Sequence, residues 1–145
     1  MKELSNGGWL LLSNGSLADH GYSNHLAKRY RRADIKASFH RIKEWDYYFV
    51  GNEEFGVALT IADNSYMSLI STSFIDYESK AERTKVSMGA FPFGKLRLPS
   101  TSEGGDVGVH KKDASINFRN DGHRRRLTFG FRDFGGKSYQ GDIRI

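Results

Sequence analysis

Cysteine is absent from this 145-residue sequence, and proline occurs only twice. Without cysteine, disulfides and thiolate metal sites are excluded, so the fold must rest on packing and hydrogen bonds. Long apolar runs are also missing from the N-terminal region, where Leu10–Leu12 is the longest. That run is too short for the hydrophobic part of a signal peptide and far too short for a membrane span. We therefore expect no membrane span and a cytoplasmic location.

Positive charge is only slightly in excess of negative charge, with a formal net charge of +5. Much of the excess lies in two basic runs, Lys28–Arg32 and His123–Arg126. Lysines and arginines in such runs can neutralise phosphates. Because the excess is modest and the acidic residues are spread through the middle of the chain, an ordinary solvated surface is favoured over a nucleic-acid partner.

Metal and cofactor motifs are missing as well. The histidines lack the spacing by two or four residues that places two metal ligands on one element, apart from a loose His20/His25 pair. Glycine pairs such as Gly104-Gly105 lack the strand, helix and lysine of a phosphate-binding loop. The sequence therefore predicts no metal and no cofactor.

The residues that are present favour strands. Sixteen glycines and an aromatic content of 13% indicate short strands joined by tight turns. We predict an all-β antiparallel meander that forms an open or closed barrel, with residues 1–145 as a single β domain. Residues 1–37 form an N-terminal arm or irregular segment, helical or extended around 17–37, and residues 38–145 form the meander. The predicted strands are Arg41–Val50, Gly56–Ala62, Tyr66–Tyr77, Ala81–Met88, Asp106–His110, Ser115–Asn120, Leu127–Phe134 and Lys137–Ile145.

Turn residues separate these strands. Asp63–Ser65 and Asn120–Gly122 each lie between two apolar-rich runs and predict hairpin turns. Pro92–Gly105 contains both prolines and is the longest predicted loop. The alternation continues through Tyr139–Ile145, so this last strand is predicted to offer a free edge to a partner.

The first predicted strand has two different faces. Trp45, Tyr47 and Phe49 alternate with a face that carries Glu44 and Asp46. The favoured interpretation places the aromatic face in the interior and the carboxylates in solvent. In the alternative, both carboxylates point inward with raised pKa values and acquire an acid–base role.

The residues at the first hairpin turn complete the predicted site. Asp63 is expected to cap the turn with its own side chain, and a ligand-orienting role beside Tyr66 is the alternative. The candidate ligand-binding residues are Trp45, Tyr47, Phe49, Asp63 and Tyr66, and no catalytic residue is assigned.

Three segments resemble one family. They are RIKEWDYY at 41–48, LTIADNSY at 59–66, and FRDFG at 131–135 with GDI at 141–143. These blocks resemble the family called domain of unknown function 2804, from about Leu17 to the C-terminus. The resemblance implies a lipocalin-like antiparallel barrel and similarity to the paired-barrel proteins of the carotenoid hydratase and tocopherol cyclase type. It also implies that the chain is the N-terminal half of a two-barrel protein, since members of the family are about twice as long. It implies no catalytic residue.

Three functions follow as expectations. The leading one is a β-barrel module that binds a small apolar or amphipathic molecule in an aromatic-lined interior. The second is an isomerase, hydratase or hydrolase that uses Asp63, Glu44 or Asp46 as acid and base. The third is an interaction half-domain, whose partner is a missing C-terminal half or a second copy bound through the C-terminal edge strand.

Overall fold

The computed structural model describes residues 1–145 as two four-stranded antiparallel sheets. Each sheet is a meander in which consecutive strands pair. The first contains β1 (Glu44–Gly51), β2 (Phe55–Asp63), β3 (Met67–Asp76) and β4 (Ala81–Ala90). The second contains β5 (Val107–His110), β6 (Ala114–Asn120), β7 (Arg125–Phe131) and β8 (Tyr139–Arg144). All eight predicted strands and both predicted hairpin turns are confirmed, and the fold class is all-β.

The closed form of the predicted barrel is wrong, because β4 and β5 do not pair. The residues of Pro92–Gly105 form no strand between them, and β5 is only four residues long. Side chains join the two sheets here instead of a backbone ladder. The Lys111 ammonium group donates to the Ser87 carbonyl oxygen at 3.0 Å, and Lys85 forms an ion pair with Asp133 at 2.8 Å.

The core lies between the two sheets. The ring centroids of Tyr48 and Phe118 are 4.7 Å apart, and those of Phe74 and Tyr139 are 6.3 Å apart, so rings from opposite sheets contact each other. Burial of one large apolar side chain contributes about 1.5–3 kcal/mol. The buried cluster therefore holds the sheets together. Its members are Val57, Leu59, Ile61, Ile70, Val107, Val109, Ala114, Ile116, Phe118, Leu127, Phe129 and Phe131.

Residues before β1 form an irregular arm. The arm contains two short 3₁₀ helices, Arg32–Asp34 and Phe39–Arg41, and three isolated bridges. The Tyr30 hydroxyl donates to the Glu44 carboxylate at 2.5 Å, and the Arg32 guanidinium forms an ion pair with the same carboxylate. These contacts tie the arm to the start of β1. No helix has the length and apolar character needed to cross a membrane.

Candidate functional site

The aromatic side chains of β1 point away from the core. Trp45, Tyr47 and Phe49 are 64%, 56% and 48% exposed, while Asp46 and Tyr48 lie on the inner side. The prediction that Trp45 and its aromatic neighbours line an enclosed interior is therefore wrong. The three rings still share one face, as the alternation predicted.

Pairing with β2 explains this inversion. Tyr48 lies opposite Leu59 and Asp46 lies opposite Ile61, and both β2 side chains are almost completely buried. Directly opposed residues share one face of a sheet, so the large aliphatic residues of β2 draw the even positions of β1 inward. The alternation of large and small residues in β2, with Leu59 and Ile61 flanking Thr60, is the sequence signal that indicates this direction.

The outward residues of the first sheet form a surface that we call the aromatic face. It consists of three cross-strand rows with no Lys, Arg, His, Asp or Glu among them. Tall side chains stand on the outer strands β1 and β4, and smaller ones lie between them. The rows are Trp45–Ala62–Leu69–Met88, Tyr47–Thr60–Ser71–Val86 and Phe49–Ala58–Ser73–Thr84.

The β4 part of this face was missed by sequence reasoning. Met88 is 67% exposed and Val86 is also exposed, while Ser87 between them is buried. The usual rule places the apolar side of such an alternating strand inward. Here the polar side faces the second sheet, because Lys85 and Ser87 make the contacts between the sheets.

A group of phenylalanines lies next to the end of β4. The ring centroids of Phe39 and Phe93 are 5.3 Å apart and those of Phe91 and Phe93 are 5.6 Å apart, and all three rings are exposed. The Phe91 amide donates to the Tyr66 carbonyl oxygen at 3.0 Å, which places exposed Tyr66 beside this group. The first sheet thus carries apolar surface over its face and beyond one of its ends.

Asp63 is buried rather than open to a ligand. Its Oδ1 accepts a hydrogen bond from the Ser65 amide at 2.9 Å, as expected for a side chain that caps the turn. Its Oδ2 is buried and has no hydrogen-bond partner. Tyr66 lies beyond the turn and is half exposed. Neither residue belongs to the row of rings on β1, and Asp63, unlike those rings, is buried.

The carboxylates of β1 point to the inner side, which reverses the favoured interpretation. Glu44 lies directly opposite Asp63 in the register, and Asp46 lies opposite Ile61 one pair further along the same side. The charge of Glu44 is neutralised by Arg32. Burial raises the pKa of the Asp46 carboxyl above its usual range. No group of three or more His, Asp or Glu side chains is placed to hold a metal ion.

Asp46 borders a small cleft of about 140 Å³ between the first sheet and the end of the second. The cleft is also lined by Tyr48, Asn120 and Arg125 and by the loop residues around Thr101. An acid with a raised pKa therefore lies in the same cleft as a guanidinium group and an amide. This combination offers one proton donor and two hydrogen-bond donors to a small polar molecule.

Comparison with models of known protein families gives a match over the whole chain. The family model described as Domain of unknown function (DUF2804) matches residues 1–145. No curated protein matches the chain. The matched range includes every residue of the aromatic face and of the cleft beside Asp46.

Proposed function

The chain belongs to the family of domain of unknown function 2804, and from this premise we propose that it is an interaction module that docks through its aromatic face. One observation carries the proposal: Trp45, Tyr47 and Met88 are more than half exposed in three cross-strand rows that contain no charged side chain, and the nearest charge on this face is Glu82 in the row beyond Thr84. Large contiguous apolar surface is uncommon on soluble monomers and marks sites of association. Aromatic residues and methionine are also enriched in protein interfaces.

A small ligand between the sheets is less well supported. The space that the leading hypothesis assigned to a ligand is filled by the buried cluster around Leu59, Ile116 and Leu127. Small-molecule sites are concave, whereas the aromatic face is the outer side of an open sheet. We therefore propose that the partner of the aromatic face is the flat apolar surface of a protein and not a small molecule.

We propose a second copy of the chain as the occupant. The outer side of the second sheet carries polar residues such as Asn117, Thr128 and Asp142, so it has the character of a solvated face. The aromatic face itself has no charged side chain in its three rows, and two copies of it can therefore approach without like-charge repulsion. Contact of the same patch on both copies gives a two-fold dimer.

The free edge of β8 supports pairing less well than the aromatic face does. Asp142 and Arg144 lie on this strand, and charged residues are a common protection of exposed edges. The pairing through the C-terminal edge strand remains a prediction from the sequence. A dimer formed through the aromatic face would cover Trp45, whereas a dimer formed through the β8 edge would leave it exposed.

Replacement of Trp45 by glutamate will weaken self-association by about tenfold or more, or at least about 1.4 kcal/mol. The charge and the loss of the indole both act at the centre of the proposed contact. Sedimentation equilibrium over a concentration series measures the association constant. The matched control is Trp9→Glu, since Trp9 is also partly exposed but lies outside the aromatic face.

The two variants separate the possible results. The control is expected to associate as the wild-type chain does. A wild-type chain that stays monomeric at every attainable concentration contradicts the proposal. Equal weakening by both glutamate variants would assign the effect to general loss of apolar surface and would also contradict it.

We propose acid–base chemistry at Asp46 as a second candidate function. It is favoured by the inward direction of this carboxyl group and by its raised pKa beside Arg125 and Asn120. A proton donor and acceptor is most effective when its pKa lies closer to neutrality than that of a free carboxyl group. The candidate belongs to the isomerase, hydratase or hydrolase classes expected from the sequence.

The variant Asp46→Asn is expected to be more stable than the wild-type chain at neutral pH. Because the pKa of Asp46 is raised on folding, ionisation costs stability as the pH rises from the unfolded value, about 3.9, through the folded value. The stability advantage of the variant should thus be absent well below the unfolded value and should grow as the pH rises through the raised pKa of Asp46. Urea unfolding at a series of pH values measures it. The control Asp113→Asn, at an exposed carboxyl, should show no such increase.

A further inference from the structure

A cleft of about 670 Å³ lies at the end of the second sheet, where β6 turns into β7 and β8 ends. We call it the arginine cleft. It is distinct from the aromatic face, because its residues come from the other sheet and are mostly charged. Its arginines are Arg119, Arg124, Arg125, Arg126 and Arg144.

The carboxylates at the cleft are already used by the backbone. Asp121 Oδ1 accepts hydrogen bonds from the amides of His123 at 2.9 Å and Arg124 at 2.8 Å. Asp106 Oδ1 accepts a hydrogen bond from the Asn120 amide at 3.0 Å. These acids shape the loops around the cleft, and neither forms an ion pair with an arginine.

Two of the arginines are held by one carboxylate on the outer side of the sheet. Arg126 makes two hydrogen bonds with Asp142, at 2.9 and 2.7 Å. Arg144 lies 3.5 Å from the same carboxylate. These two guanidinium groups form a fixed, partly neutralised wall of the cleft.

The other three arginines form no ion pair with a carboxylate, although the charge of Arg124 helps to lower the pKa of Asp121. Arg119 and Arg124 form no ion pair, and Arg125 donates only to the Ser102 carbonyl oxygen, at 2.9 Å. The Nε of Arg125 is buried without a hydrogen-bond partner.

We propose that the arginine cleft binds a small ligand that carries a phosphate or pyrophosphate group. Guanidinium groups match the oxygens of phosphate in pairs, and Arg119 and Arg124, which form no ion pair, both line this cleft. The volume of the cleft lies within the range of about 300–1,000 Å³ that is typical of small-molecule sites. The proposal is independent of the aromatic face.

A nucleic acid fits the distribution of charge less well. The other basic run, Lys28–Arg32, is occupied by contacts within the chain. Lys28 donates to the Gly7 carbonyl oxygen at 3.0 Å, Arg31 pairs with Asp34 at 2.7 Å, and Arg29 lies over the Trp9 ring at 4.5 Å. Of the two basic runs, only His123–Arg126 therefore leaves arginines unpaired, and these line one concavity instead of a track that follows a polynucleotide backbone.

Titration of inorganic pyrophosphate into the full chain, followed by isothermal calorimetry, tests the proposal. The double variant Arg119→Gln/Arg124→Gln is expected to raise the dissociation constant by about tenfold or more, while Arg29→Gln/Arg31→Gln, with the same loss of charge, changes it by less than about twofold. Trp45→Glu should bind as the wild-type chain does, which separates a failure here from a failure of the proposed dimer.

Three results would overturn the assignment. One is the absence of binding at millimolar pyrophosphate. Another is an equal loss of affinity in both double variants, which would indicate nonspecific charge attraction. The third is tighter binding of a single-stranded oligonucleotide than of pyrophosphate, with loss of that binding in the Arg119→Gln/Arg124→Gln variant. This result would show that the cleft is a site for polyanions.

Discussion

Replacement of Phe118 by alanine will lower the free energy of unfolding by about 3–5 kcal/mol. Phe118 is only 2% exposed, belongs to the buried cluster, and contacts the Tyr48 ring of the opposite sheet. Loss of the ring removes buried apolar surface and leaves a cavity that two packed sheets cannot close completely. Urea denaturation followed by circular dichroism measures the change.

A matched substitution separates burial from side-chain type. Phe39 is 62% exposed at the start of the second 3₁₀ helix, and its replacement by alanine should cost less than about 1 kcal/mol. If the two alanine variants lose equal stability, the assignment of Phe118 to a core shared by both sheets is wrong.

The second large effect is expected from Glu44→Ala, which should lower the free energy of unfolding by about 2–3 kcal/mol. The substitution removes the partner of the Arg32 guanidinium and the acceptor of the Tyr30 hydroxyl. Both charged side chains are mostly shielded from water, so the arginine is left with an uncompensated charge. Because these contacts tie the N-terminal arm to β1, limited proteolysis should cleave the arm faster in the variant.

Two further variants sharpen this result. Glu44→Gln keeps an oxygen acceptor for Tyr30 and should lose less stability than Glu44→Ala. Glu53→Ala, at an exposed acid without an ion pair, should change neither the stability nor the rate of cleavage. Unchanged proteolysis in Glu44→Ala would show that the arm is not held by this ion pair.

The strands were predictable because their signals are local. Alternation within ten residues and turn chemistry at Asp63–Ser65 and Asn120–Gly122 located all eight strands. The separation into two sheets was not predictable in this way. It depends on whether β4 and β5 pair, which is decided by contacts across the intervening loop and not by the composition of either strand.

The direction of the aromatic residues shows the same limit. Alternation places Trp45, Tyr47 and Phe49 together, but it does not state which face is inside. Tyr48 supplies a large ring to the other face, and the pairing with Leu59 decides the choice. The assumption that the face with more aromatic rings is the buried one therefore fails for β1, because both of its faces carry apolar side chains.

The arginine cleft combines a local signal with nonlocal geometry. The run His123–Arg126 was visible in the sequence as a basic turn. Its convergence with Arg119 and Arg144 comes from the pairing of three strands, β6, β7 and β8. Asp106 and Asp121 accept hydrogen bonds from backbone amides of the folded turns instead of pairing with these arginines. This arrangement also depends on the fold.

Accessibility of the Trp45 indole to a soluble quencher reports whether the aromatic face is exposed in the monomer and covered in the dimer. In a Trp9→Phe variant, Trp45 is the remaining tryptophan of the two in the sequence. If two chains associate through the aromatic face, acrylamide will quench this fluorescence freely in dilute solution and progressively less as the protein concentration rises, in step with association measured by sedimentation. An indole that is shielded at every dilution, or one that stays fully accessible after the chains have associated, would contradict it.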